Sequence, residues 1–351
     1  MRLILYPFSL IFKFILIIRH LLYDVGLLKS KSYDIPVIGV GNLSFGGTGK
    51  TPTVEYLVNL LSPHYRTAIL SRGYKRKRKG PFLLDAATTA ADAGDEPRQY
   101  KLKFTELNIA VAENRNDGMK LLLDIDPAPE VILLDDAFQH RAIKPGLNIL
   151  LTDYHKLYPK DHLFPAGNLR DIKQAATRAD IIIVTKTPSI ISPYIKAEIL
   201  QIIKPKPHQQ LYFAYLEFGK AYPIGKPPKA KELRDVSSIF LVTGIANPYP
   251  LLEHMRRKCN ELLHKSFSDH HRFSEKDILE IRHAFQHIIG SNKIIVTTEK
   301  DAVRLADSPY FSKLEDLPIL VQPIRMAFHA SEYGSFDQSI LNYVRKTSAN
   351  R

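Results

Sequence analysis

Between residues 44 and 51 the chain runs Ser-Phe-Gly-Gly-Thr-Gly-Lys-Thr, a combination that can hold a nucleoside triphosphate. Glycines let backbone N–H groups turn inward around phosphate oxygens, and the start of a helix adds a favourable dipole. In such a loop Lys50 reaches the β- and γ-phosphates of ATP, and the Thr51 hydroxyl ligates Mg²⁺. Ser44 stands where the usual G-x-x-x-x-G-K-[ST] spacing has its first glycine. Ser44, Phe45, Gly46, Gly47, Thr48, Gly49, Lys50 and Thr51 therefore read as a variant loop that keeps its turn.

Two pairs of acids could complete a phosphoryl-transfer site. Asp95 and Glu96 precede Pro97, a residue suited to the first turn of a helix. Carboxylates there either cap the helix or supply a base and a Mg²⁺ ligand. Asp135 and Asp136 follow the apolar run 131–134, where a carboxylate at the end of a buried parallel strand holds the Mg²⁺ assembly. Gln139 and His140 follow at the same edge, Ser71-Arg72-Gly73-Tyr74 ends another expected strand, and the loop 164–171 carries Arg170. Asp269-His270-His271 reads either as a solvated loop or as a functional pair. As a zinc site it lacks further ligands at recognisable spacing.

Groups so far apart in sequence need a scaffold that gathers strand ends at one edge. Apolar runs at 35–40, 66–70, 107–112, 130–134, 147–151 and 179–184 alternate with helical periodicity, the mark of an α/β fold. The expected architecture is a P-loop NTPase-like doubly wound parallel sheet, followed by a second, smaller α/β domain. Proline and lysine change the texture between 205 and 231. The expected division is an amphipathic membrane-interface helix at 1–30, a P-loop core at 31–209 and a linker strand region at 210–231. The smaller domain follows at 232–318, then a return linker strand and C-terminal helix at 319–351. Within the smaller domain we expect a strand from 239, a helix through Cys259, a helix over 274–289, a strand over 293–297 and a helix opened by Thr298-Glu299-Lys300-Asp301.

Forty-nine basic against 36 acidic residues leave a net charge of +13 on 351 residues, which favours an anionic partner. The single Cys259 excludes a disulfide framework within the chain and a thiolate metal cluster, and it fits a reducing, cytosol-facing location. Five consecutive cations at 75–79 make either a solvated loop or a grip on phosphate or lipid headgroups. No aromatic residues are interleaved with them, which argues against nucleic acid.

Residues 3–28 are mostly apolar but are interrupted by Lys13, Arg19, His20 and Asp24. No uninterrupted run reaches the roughly 20 residues of a spanning helix. At helical spacing Ser9, Lys13, His20 and Asp24 share one narrow face, which describes a helix lying in a membrane interface. Arg2, Lys13, Arg19, Lys29 and Lys31 would suit anionic headgroups. A helix packed on the protein's own core is the alternative, and a signal peptide would need a small-residue cleavage site that does not follow.

Gly-Asn-x-x-x-Gly-Gly-x-Gly-Lys-Thr-Pro at 41–52, Ser-Arg-Gly-Tyr at 71–74, Gly-Asp-Glu-Pro at 94–97 and Asp-Asp-x-Phe-Gln-His at 135–140 form a signature in order. Gly-Ile-Ala-Asn-Pro at 244–248, Asp-His-His at 269–271 and Thr-Glu-Lys-Asp at 298–301 continue it. Over nearly the whole chain this closely resembles the tetraacyldisaccharide 4'-kinases of lipid A biosynthesis. The resemblance implies transfer of the ATP γ-phosphate to the 4'-hydroxyl of a tetraacylated glucosamine disaccharide 1-phosphate, at the cytoplasmic face of a bacterial inner membrane. It implies two α/β/α domains joined by a two-stranded linker, a peripheral or monotopic anionic-membrane contact, no nucleic acid and no obligate protein partner. It also implies Asp95 as base, tuned by His270 from the second domain, with Thr51, Asp135 and Glu96 around Mg²⁺. Asp136, Gln139, Arg72 and Arg170 are left to position the acceptor. The sequence departs from the commoner pattern at Asn168-Leu169-Arg170-Asp171, where the family has Pro-Leu-Arg-Glu. The competing class is a membrane-associated P-loop ATPase switch or partitioning protein, which has no evident need for Asp95 together with His270.

Overall fold

The structure is a computed structural model and describes residues 2–227, 233–332 and 334–349, without the side chains of residues 2–4 and 234. The Arg2 side chain, expected as a headgroup contact, and the expected boundary at 231/232 lie outside what is described.

Eight stretches of the first two-thirds of the chain become strands: β1 (Val37–Asn42), β2 (Thr67–Ser71), β3 (Phe82–Leu83), β4 (Asn108–Val111), β5 (Val131–Asp135), β6 (Leu147–Asp153), β7 (Ile181–Thr185) and β8 (Gln210–Phe218). The remainder gives β9 (Tyr222–Pro223), β10 (Ser238–Thr243), β11 (Glu261–Ser266), β12 (Lys293–Thr298), β13 (Ile319–Gln322) and β14 (Ile324–Phe328). They form a nine-stranded sheet in the order β14-β8-β7-β6-β1-β5-β2-β4-β3 and a five-stranded sheet in the order β11-β10-β12-β13-β9.

The large sheet is α/β and mostly parallel because its strands are apolar on both faces. Alternate side chains of β5 show the division of labour. Val131 and Leu133 join a core with Val54, Leu57 and Leu61 of the helix Lys50–Leu61 and with Phe336, Ile340 and Val344 of the C-terminal helix Ser335–Ala349. Ile132 and Leu134 face the opposite layer, beside Met119 and Leu122 of the helix Arg115–Leu123. β1 lies between β5 and β6. The chain leaves β1 toward β2 on one side and passes from β5 to β6 on the other. This opens a crevice beyond the strands' C-terminal ends, where open α/β sheets bind ligands.

Three expectations shift. The single return strand expected over 319–328 is two strands, broken at Pro323: β13 belongs to the small sheet and β14 pairs antiparallel with β8 in the large one. Proline has no N–H to give a ladder, so the chain changes sheets there. The segment expected as linker, β8, also pairs in parallel with β7 and so extends the large sheet. In the smaller unit the helix expected through Cys259 spans Tyr249–Arg256, and the polar edge strand β11 follows it.

The N-terminal helix Arg2–Asp24 docks by its polar stripe. Buried Ser9 donates to the Leu163 carbonyl at 2.9 Å and accepts from the Ala166 N–H at 3.0 Å. His20 donates through Nε2 to the buried Asp171 at 2.6 Å and accepts at Nδ1 from Arg141 at 3.0 Å; Arg141 also pairs with Asp24. The apolar face is left outward, with Phe14 64% and Ile11 61% exposed. Within the helix, Leu5–Asp24 is long and apolar enough to cross a membrane by length and composition. On the expected polar face, Ser9 and His20 are thus buried against specific partners on the protein, whereas Lys13 is exposed and Asp24 meets Arg141 from a largely exposed position.

Candidate active site

The loop after β1 closes on itself before it meets any ligand. Asn42 donates through Nδ2 to the Thr48 hydroxyl at 2.7 Å, Thr185 donates to the Thr48 carbonyl at 2.8 Å, and the Phe45 N–H reaches the Asn168 carbonyl at 2.7 Å. Gly46 and Gly49 take φ of 97° and 86°, values that side-chain-bearing residues rarely adopt. Gly49 is the N-cap of the helix Lys50–Leu61 and provides no side-chain cap. The first N–H groups of that helix thus face an exposed glycine turn, ready for an anion.

Beside it, Asp135 and Asp136 have opposite environments. Asp135 is buried, accepts from Ser71 Oγ at 3.1 Å, and is raised to about 6 by burial and by the charges of Asp136 and Glu96. Asp136, with φ of 49°, is held far below the carboxylate range: burial is outweighed by hydrogen bonds from Arg170 and by the Lys50 ammonium 3.5 Å away. Arg170 reaches Asn42 as well, and Gln139 donates to the Asn42 carbonyl at 2.7 Å. Arg72 is exposed and, with Arg115 and Arg19, adds to the burial that lowers His140 to about 4, so that this imidazole is neutral at neutral pH.

The second carboxylate pair starts the helix Asp95–Lys103. Asp95 Oδ2 accepts from His270 Nδ1 at 2.8 Å and from Arg304 Nε at 2.9 Å, both from the smaller unit. Burial pushes the Asp95 carboxyl up, but the His270 hydrogen bond and the Arg304 charge outweigh it and hold it low. His270 has φ of 61°, a left-handed conformation uncommon for residues with side chains. His271, its neighbour, instead bonds to Asp277 at 2.9 Å and stacks on Phe267, a structural role.

Glu96, expected beside the metal, is paired with Lys300 at 2.6 Å, a cation that outweighs burial and keeps its carboxyl low. Deeper still, Lys103 bridges Glu55 of the loop helix at 2.6 Å and Glu299 of the smaller unit at 2.9 Å. The phosphate loop, the Asp95 helix and the smaller unit are thus tied together. Lys300 and Arg304 are the residues that sequence reasoning missed here. Lys300 lies inside a quoted motif, whereas Arg304 lies one helical turn beyond it.

Comparison with known proteins agrees over the whole length. The family model described as tetraacyldisaccharide-1-P 4'-kinase matches residues 1–345. A Bacteroides thetaiotaomicron protein named tetraacyldisaccharide 4'-kinase is 44% identical over 99% of this chain and 94% of its own length. A Flavobacterium johnsoniae protein of the same name is also 44% identical, over 99% and 98%. The crystal structure of LpxK from Aquifex aeolicus in complex with ATP superposes with a TM-score of 0.73 at 29% identity, covering 98% of this chain and 99% of that one.

Proposed function

The chain belongs to the tetraacyldisaccharide-1-P 4'-kinase family, and from that premise we propose how its residues divide the work of an ATP-dependent phosphotransferase. The reaction moves the γ-phosphate of ATP to the 4'-hydroxyl of a tetraacyldisaccharide 1-phosphate in lipid A biosynthesis. The observation that carries the assignment of roles is the Asp95–His270 pair, formed at 2.8 Å by two residues 175 positions apart.

A sugar hydroxyl must lose its proton as its oxygen bonds to phosphorus, and a carboxylate within reach removes it. Asp95 takes that proton while the bond from the γ-phosphorus to the β-phosphate oxygen breaks and ADP leaves. His270 donates to the carboxylate and holds its direction. Lys50 and the loop N–H groups offset the charge on the phosphoryl oxygens. Asp136, Gln139, Arg72 and Arg170 position the acceptor, with Arg170 locked by Asp136. Transfer of label from γ-labelled ATP into the disaccharide lipid in detergent micelles tests the assignment; release as free phosphate alone would favour the ATPase switch.

Mg²⁺ fits the donor set. Asp135 is a buried carboxylate crowded by two others, with Ser71 as its hydrogen-bond donor. Mg²⁺ asks for only one or two protein carboxylates besides phosphate oxygens and water. Thr51 and Asp135 would hold the ion, which supplies charge neutralisation on the phosphates. Asp135 must lose its proton to bind. Mg²⁺-dependent nucleotide affinity should therefore rise as pH increases through about 6 and fall about tenfold per pH unit well below it. Calorimetric titration from pH 5 to 8 checks this, with Asp135→Asn as the control; equal slopes in the two proteins would refute it.

The outward apolar face of the N-terminal helix suits the surface of an anionic membrane, where an acceptor with four acyl chains resides, on the cytoplasmic side that supplies ATP. Replacing Ile11, Phe14 and Ile18 with Gln should reduce flotation with anionic liposomes at least about 100-fold, since each buried side chain contributes about 1.5–3 kcal/mol. Unchanged flotation in a protein of unchanged Tm would remove the helix from membrane contact.

A further inference from the structure

We infer that Arg304 is a positioning residue for the base: it fixes the Asp95 carboxylate so that Oδ1 is the oxygen turned to the acceptor hydroxyl. The inference rests on Asp95 acting as that base.

The guanidinium is 97% buried at its side chain and is held on three sides: by Asp95 Oδ2 through Nε at 2.9 Å, and by the Gly244 carbonyl at 3.0 Å and Asp301 Oδ1 at 3.1 Å through Nη1. His270 takes the same Oδ2 from another direction at 2.8 Å. Two donors on one carboxylate oxygen fill its lone pairs and stop rotation about the Cβ–Cγ bond. Oδ1 takes part in neither contact. A lone Asp–His pair would still let the carboxylate pivot about one hydrogen bond; the second, rigid fork removes that freedom.

The support beneath Arg304 is itself built from otherwise unassigned sequence motifs. Asp301 opens the helix Glu299–Ala306 with its Oδ2 on the Thr298 cap and its other oxygen on Arg304 one turn later. Gly244 gives the guanidinium its carbonyl and donates its N–H to Asp301. A Cβ at Gly244 would come within 3.0 Å of Asp301 Oδ1 and 3.5 Å of Arg304 Nη1, so glycine lets the three groups close up. An ordinary stabilising ion pair would be complete with Asp301 alone. Here Nη2 stays buried without a partner among the described residues while Nε is spent on Asp95, although an unpaired buried donor costs about 1–3 kcal/mol.

Around Asp95 the titratable and charged groups are His270 and Asp269 from the loop after β11, Lys300, Asp301 and Arg304 from the helix Glu299–Ala306, and Glu96 beside it. Arg304 is the buried cation in direct contact with the carboxylate. Its removal therefore eases protonation of the base.

Arg304→Met and Arg304→Lys are compared with wild type in the lipid transfer assay at saturating Mg²⁺-ATP, with kcat, KM for the acceptor lipid, ATP affinity and Tm measured on each. Arg304→Met should lower kcat about 100-fold, with KM for the acceptor, ATP affinity and fold retained. Arg304→Lys should recover part of that turnover, because a cation still faces Oδ2, and still fall short of wild type, because a single nitrogen cannot occupy the separate places of Nε and Nη1. An unchanged kcat in Arg304→Met overturns the proposal, as does a loss of kcat that merely follows loss of fold or of ATP affinity. Absence of transfer by wild type would instead strike at the kinase reaction itself.

Discussion

Asp95→Asn lowers turnover by about 10²- to 10⁴-fold, the span expected for a lost general base, and leaves ATP affinity within about twofold. Asparagine keeps the size and the hydrogen-bonding oxygen of the side chain but cannot take a proton at neutral pH. It is a better test than alanine, because Arg304 is buried and would lose a partner entirely. Asparagine still offers the guanidinium an oxygen, beside the Asp301 and Gly244 acceptors that the native chain already gives it. The phosphate loop is built from β1, the helix Lys50–Leu61 and contacts to Thr185 and Asn168, none of which passes through Asp95. Single-turnover transfer from γ-labelled ATP reads the first quantity and equilibrium nucleotide binding the second. Parallel loss of both would make Asp95 a structural or metal-linked group, and near-wild-type turnover would remove it from the chemistry.

Lys50→Ala produces a different pattern, in which affinity and turnover fall together, transfer by about 10²- to 10³-fold. Its ammonium sits 3.5 Å from Asp136 and helps to oppose the burial that raises Asp135. Removing it takes away the positive charge that faces the phosphates and makes Asp135 harder to ionise, so the metal assembly weakens too. Arginine should not restore activity, since a planar fork cannot replace a compact ammonium on a flexible stem. The pH at which Mg²⁺-nucleotide binding is half-maximal should also rise in Lys50→Ala. A variant with lower turnover and unchanged binding and pH response would separate Lys50 from both tasks.

The two sites differ in how far the sequence revealed them. The phosphate loop was legible because its glycines, lysine and threonine are contiguous and flanked by strand and helix patterns, and Asp135 because acids end an apolar run. Contacts closed by tertiary folding left weaker traces. Glu96 reads as an acid at a helix start, and nothing nearby announces a lysine 204 positions away. Arg304 looks like an ordinary cation in the last turn of a short helix, the place where the helix dipole favours one, until the fold sets it against Asp95. The N-terminal helix shows the same limit. Its polar stripe was visible as periodicity, but periodicity does not say whether a stripe meets water or meets Asp171 and Arg141. β11 has two leucines between charged and polar residues, and as an edge strand it needs little more.

The strand change at Pro323 bears on how the protein comes into being. β8 and β14 are neighbours in the large sheet, yet the whole smaller unit is threaded between them, and the helix Ser335–Ala349 that covers the phosphate-loop helix is made after both. The ribosome thus finishes the inserted unit while the sheet that houses it still lacks an edge and a cover. At about 5–20 residues per second, the loop leaves the ribosome about 15–60 s before its own lid of Phe336, Ile340 and Val344. Until that last helix arrives, the apolar side of the loop helix stands open, so a nascent chain stalled near its end carries every residue of the site and has not finished the core beneath it.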